Sequence, residues 1–105
     1  MSYAVLVHGG SMARRAAFAQ ALRAANGLDV RVRLSSRATE AAKCMADPAL
    51  VAVYLVDVPD DAEAVRAAAA ARGLASDVYD LQTRDAAEVV VSLARAAVTR
   101  ANDRP

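Results

Sequence analysis

Two uninterrupted apolar runs, Tyr3 to Val7 and Val51 to Val56, constrain this chain more than any other feature. A strand with one wet face alternates apolar and polar residues. A strand covered on both faces reads as a continuous run, which is the pattern of a parallel sheet sandwiched by helices. Gly9 and Gly10 close the first run, and Asp57 emerges at the tip of the second.

The segments between and after these runs read as helices and weaker strands. Ser11 offers an N-cap to a first helix that ends near Asn26 and Gly27, with Phe18, Leu22 and Ala25 on one face. Leu28, Val30, Val32 and Leu34 alternate with Asp29, Arg31 and Arg33, the period of a strand with one exposed face at a sheet edge. Ser36 is placed to cap a second helix, and Asp47 and Pro48 end it. Asp60 with Glu63 fits a capping box for an Ala-rich third helix that stops at Gly73. Val78 to Gln82 reads as a short last strand. Asp85 and Glu88 repeat the capping signature before a helix to about Arg100, and the tail from Asn102 to Pro105 is expected to fray.

Four βα units joined by right-handed crossovers predict an α/β fold. The expected form is a flavodoxin-like open parallel four-stranded sheet of order 2-1-3-4 with helices on both faces, one βαβαβαβα domain over residues 1–105. Ligands of such sheets bind at the carboxyl ends of the strands where the winding reverses, which here lies between His8 and Asp57.

Composition narrows the partners. The chain is 56% hydrophobic, but with only three Tyr, one Phe and no Trp, so its core must be thin and closely packed. A net charge of +1, from 13 basic and 12 acidic residues, gives no field to steer nucleic acid or an anionic membrane. The lone Cys44 precludes an internal disulfide, reads as a buried helix residue and suits a reducing compartment. The N-terminus lacks the pattern of a secretory signal, and residues 3–7 are too few to span a bilayer, so a cytoplasmic protein is expected.

The run Val7-His8-Gly9-Gly10-Ser11 carries the strongest chemical signal. Gly9, Gly10 and Ser11 before a helix N-terminus form a possible anion cradle, although a tight strand-to-helix turn selects glycine for its own reasons. His8 is the only histidine, and a neighbouring carboxylate such as Asp57 would orient it for acid–base or phosphoryl-accepting work. Ser35 and Thr83 belong to the same end of the sheet, as ligand contacts or as helix caps. No metal or other cofactor is expected. A closed zinc site lacks ligands, and magnesium would need Asp60 and Asp61 beside Asp57, where cap service explains them as well. The P-loop lysine, the dinucleotide glycine pattern and the hydrolase nucleophile elbow are all missing from the sequence.

The last helix has a narrow polar stripe of Arg84, Glu88, Ser92, Arg95 and Thr99, and apolar residues cover the rest. That apolar arc exceeds what docking on a sheet requires, so Val89, Leu93 and Ala96 are candidates for a homodimer interface.

From Ala4 to Pro59 the chain resembles the first half of a response-regulator receiver domain. Val5 to Val7 matches that family's first strand, Met12 to Leu22 its first helix, and Val53 to Pro59 the strand ending in its phosphoacceptor aspartate. The resemblance implies that Asp57 is the phosphoacceptor position. The acidic pair that holds magnesium in receivers is replaced here by His8, Gly9 and Gly10. Tyr79 to Ala97 looks like a receiver's last strand and helix, with Gln82-Thr83-Arg84 where a Lys-Pro pair is expected, so the likeness is to a receiver contracted to four units. A second resemblance is to the mannose-type sugar phosphotransferase A domains, whose phosphoryl-accepting His-Gly pair and partnering Asp are similar to His8-Gly9 and Asp57. A third is to small chelatases with a His-Gly pair after strand one. The leading expectation is a non-catalytic, receiver-like signalling or protein-interaction module that forms a homodimer. The alternatives are a phosphocarrier that accepts a phosphoryl group on His8 and a small-anion binding domain.

Overall fold

The apolar run at the N-terminus forms strand β1 (Tyr3–Gly9), buried along its whole length because strands pair with both its edges and helices cover both its faces. The chain, seen in a computed structural model that describes residues 3–57, 59–81 and 87–103, continues through α1 (Met12–Ala24), β2 (Val30–Ser35), α2 (Ala38–Met45) and β3 (Leu50–Val56). It ends with α3 (Ala62–Ala71), a 3₁₀ turn at Ala75–Asp77, β4 (Val78–Leu81) and α4 (Ala87–Asp103). All strand pairs are parallel and the sheet order is β2-β1-β3-β4, which is the flavodoxin-like arrangement expected.

Side chains of β1 and β3 alternate between two cores. Val5, Val7, Tyr54 and Val56 pack with Phe18 and Leu22 of α1 and with Val90, Ala94 and Ala97 of α4. On the opposite face Ala4, Leu6, Val53 and Leu55 meet Ala41, Cys44 and Met45 of α2 and Val65 and Ala69 of α3. Each fully buried Val or Leu contributes about 1.5–3 kcal/mol. The alanines of the helices let the thin layers approach the sheet closely. Cys44 is buried in α2, as its sequence setting indicated.

Several element ends differ from expectation, each for a local reason. Helix α1 stops at Ala24 rather than at Gly27, because Ala25 is already extended and its carbonyl accepts the Leu28 N–H in the turn that follows. Strand β2 correspondingly starts at Val30. Ser36 does not cap α2. Its N–H and hydroxyl both donate to Glu40 Oε1, which reaches back to accept the Arg37 N–H as well, and Arg37 is the N-cap. The N-cap of α3 is Asp61 rather than Asp60, and its carboxylate does not cap the helix. The tail expected to fray from Asn102 instead continues α4 to Asp103, fixed where the Tyr3 hydroxyl donates to Asn102 Oδ1 at 2.8 Å. Asp85 and Gln82, assigned to the last cap and strand, lie outside the described residues.

Candidate functional site

Parallel register sets up the first part of the site. His8 is paired with Ser35 on β2, and neighbours in a parallel sheet project to the same face. The ring of His8 is fully buried and Ser35 is 3% exposed. His8 Nδ1 lies 2.6 Å from Ser35 Oγ, and Nε2 lies 2.8 Å from Asp61 Oδ1 at the start of α3. An ionised carboxylate only accepts, so in the neutral ring Nε2 carries the proton and donates to Asp61. Nδ1 is then the lone-pair nitrogen and accepts from the Ser35 hydroxyl. The hydrogen bond from His8 holds the Asp61 carboxyl below the usual carboxylate range, and the Ala38 amide at the head of α2 adds to the effect.

Asp57 forms a separate pair. The carboxylate expected beside His8 was Asp57; the structure places Asp61 there instead, and Asp57 Oδ2 meets Arg14 Nε of α1 at 2.8 Å. The reason lies in the backbone. Asp57 turns out of β3 with φ of 60°, a left-handed conformation that Asp tolerates better than most residues, and its N–H donates to the Leu81 carbonyl. This turn sends the side chain toward α1 rather than toward the face that His8 occupies. The Arg14 guanidinium also stacks over the Phe18 ring, 5.3 Å from its centroid.

The glycines are fixed by packing. A Cβ on Gly9 would stand 2.8 Å from Pro59 Cγ, and one on Gly10 would stand 2.6 Å from Val56 Cγ1 and 3.0 Å from Asp57 Oδ2. Both residues have positive φ, at 89° and 64°. The loop after β3 therefore lies directly over the turn after β1. Arg15 Nη1 donates to the carbonyls of Gly9 and Gly10 at 2.9 and 2.6 Å, and Ser11 Oγ accepts the Arg14 N–H as the N-cap.

Beside this turn a cleft of about 190 Å³ is lined by Met12, Arg15, Ala16, Leu34, Ser35, Ser36 and Glu40. Thr83, assigned to the same edge, lies outside the described residues. On α4, Val89 and Ala96 are exposed and Leu93 is half-buried, at i, i+4 and i+7 along one stripe. Among the described residues no three His, Cys, Asp or Glu side chains gather as metal ligands do. None of the described helices is long and apolar enough to cross a membrane.

Sequence reasoning missed the joining of Ser35, His8 and Asp61 into one chain of hydrogen bonds. The signal for half of it was present: in the order 2-1-3-4 the tips of β1 and β2 are adjacent, which puts His8 next to Ser35. The part played by Asp61 depends on the path of the β3–α3 loop, which no spacing rule fixes.

Fold and site together define a flavodoxin-like parallel α/β domain with two polar clusters at the carboxyl edge of its sheet. Comparison of the chain with protein-family models, curated proteins and solved structures finds no match.

Proposed function

We propose that this chain is a receiver-like signalling or protein-interaction module, cytoplasmic and self-associating, in which neither Asp57 nor His8 carries a phosphoryl group. The pairing of Arg14 with Asp57 at 2.8 Å is the observation behind this reading. A phosphoacceptor carboxylate must hold a cation that offsets the charge of the incoming group, and receivers use an acidic pair to recruit magnesium. Here His8, Gly9 and Gly10 stand in the place of that pair, and the charge of Asp57 is met by a guanidinium from α1. An aspartate held by a guanidinium of α1 favours one arrangement of the loops around it, which suits a constitutive binding surface.

Burial weighs against the phosphocarrier alternative. His8 is fully buried, and both ring nitrogens are already in hydrogen bonds, so a donor protein finds no ring nitrogen to reach. The anion-binding alternative is weakened because Ser11 Oγ takes up the Arg14 N–H, one of the amide donors at the helix N-terminus that an anion would use. Self-association draws on the exposed stripe of Val89 and Ala96, and the cytoplasmic setting on the single buried thiol of Cys44.

Incubation with acetyl phosphate and magnesium, followed by intact-mass analysis, tests the first part. No phosphorylated species is expected, and stoichiometric acyl phosphate on Asp57 contradicts the reading. Light scattering at high micromolar concentration tests the second: a dimer that Val89→Glu dissociates is expected, and a monomeric wild type removes self-association.

A further inference from the structure

We propose that the chain self-associates by antiparallel pairing of α4 with the α4 helix of a second copy, in the register that sets Glu88 of each copy against Arg95 of the other. The inference rests on the reading of the chain as self-associating and adds to it the face, the direction and the register.

Helical geometry divides the outer face of α4 into two flanks. At about 100° per residue, positions seven apart return almost to the same side. Glu88 and Arg95 therefore share one flank, Val89 and Ala96 share the other, and Ser92 lies between them; all five are exposed. The charged flank is the one next to α1, because Glu88 and Arg95 line a groove of about 320 Å³ with Ala21, Ala24 and Ala25. Among the described residues neither Glu88 nor Arg95 takes part in an ion pair. They stand two turns apart, beyond the three- or four-residue spacing at which side chains of one helix pair. Arg95 is steadied on this flank by donating from Nη2 to the Asn26 carbonyl at 2.6 Å, a bond that uses one of the five guanidinium N–H groups.

Symmetry decides the direction. A two-fold dimer is isologous: if position i meets j of the partner, then j meets i. An axis perpendicular to the helices keeps each flank on its own side. The antiparallel pair then lays Glu88 and Arg95 on Arg95 and Glu88 of the second copy, and Val89 on Ala96. An axis parallel to the helices exchanges the flanks and lays both charges on Val89 and Ala96, with nothing to offset their desolvation. The midpoints of the two antiparallel pairings fall on either side of Ser92, so this residue meets itself at the axis, where a small side chain lets the helices approach. The alanines of the groove leave room for the partner's helix beside the ion pairs.

Sedimentation equilibrium of the full chain at high micromolar concentration tests the pairing by charge exchange. Glu88→Arg and Arg95→Glu, each alone, set like charges in register and should raise the dimer dissociation constant by about tenfold or more. An equimolar mixture of the two restores both opposite-charge pairs, so a heterodimer of wild-type affinity is expected from chains that pair poorly by themselves. That rescue also shows both variants to be folded. Ser92→Cys should form a disulfide between copies under mild oxidation, mapped by mass spectrometry to position 92 in both. A monomeric wild type overturns the pairing together with the self-association on which it rests. A wild-type dimer that both charge-reversed variants still form, or that mixing them fails to restore, overturns the pairing alone and leaves self-association to another face.

Discussion

His8 Nε2 and Asp61 Oδ1 meet at 2.8 Å across 53 residues of sequence, and the contact ties the tip of β1 to the first turn of α3. Because His8 also holds Ser35, one imidazole joins three elements of the fold. Its removal should be costly. His8→Ala leaves a cavity together with a serine and a carboxylate that lose their partner, and is expected to destabilise the protein by about 2–4 kcal/mol. Urea denaturation measures this, and a loss of no more than the roughly 0.5 kcal/mol of a surface substitution contradicts it.

The Asp61 carboxyl also gives stability a pH dependence. The hydrogen bond from His8 lowers its folded pKa relative to the unfolded chain. A lowered carboxylate contributes stability that is present above the unfolded value, roughly 4, and is lost as pH falls through the folded value. Asp47, lowered first by the Ala49 N–H at 2.9 Å and then by Arg31 and Arg33, acts in the same direction. The urea midpoint should therefore be level above about pH 5 and fall toward pH 2. In Asp61→Asn that fall should be shallower, and an unchanged slope removes the assignment.

The glycines separate two costs of adding a methyl group. Gly73 has φ of 85° and open space around a new Cβ, so Gly73→Ala meets only the backbone term of about 1–2 kcal/mol. Gly10→Ala meets the same term and a collision at 2.6 Å with Val56 Cγ1, which adds roughly 1–3 kcal/mol. Thermal denaturation should rank Gly10→Ala well below Gly73→Ala. Equal losses imply that the end of β3 at Val56 does not pack against the β1–α1 turn.

Tyr54 carries a buried hydroxyl without a hydrogen-bond partner among the described residues, while its ring stacks on Tyr79 with centroids 5.6 Å apart. Burial pushes its phenol far above the ordinary tyrosine range. Tyr54→Phe removes an unsatisfied group and keeps the ring, so stability should be unchanged or rise by about 1 kcal/mol. Tyr3→Phe, which breaks the bond to Asn102, should lose about 1 kcal/mol. A raised phenol stabilises the fold below the unfolded value near 10 and ceases to do so as pH climbs above it. Ultraviolet titration should accordingly show Tyr54 ionising only as the protein unfolds in alkali, and a reversible titration of all three tyrosines in the folded protein contradicts this burial.

Much of this architecture was legible because its strongest signals are local. The continuous runs of β1 and β3 identify central strands, and the alternation of Arg31 and Arg33 with Val30 and Val32 identifies an edge, which together order the sheet. The crossover rule supplies the handedness. The position of His8 and Asp57 at one edge follows from that order alone. Which carboxylate His8 and Arg14 each meet does not follow, because it depends on loop paths. Asp57 leaves β3 in a left-handed conformation and turns to Arg14, and Asp61, in a position that reads equally well as a helix cap, reaches His8. Helix caps failed for a related reason: at Ser36 and Glu40 several short polar side chains compete for the same few amides, and the winner is set by tertiary contacts.

The pairing of Arg14 with the aspartate at the tip of β3 has one most direct test. Amide and guanidinium NMR signals of Asp57 and Arg14 can be followed while magnesium and beryllofluoride, a phosphoryl mimic, are added to the full chain. The account predicts that the Arg14 Nε–H signal keeps the shift of an ion-paired guanidinium and that the Asp57 amide does not move. Saturable displacement of both signals by magnesium with beryllofluoride would mean that Asp57 is open to a phosphoryl group, and would contradict it.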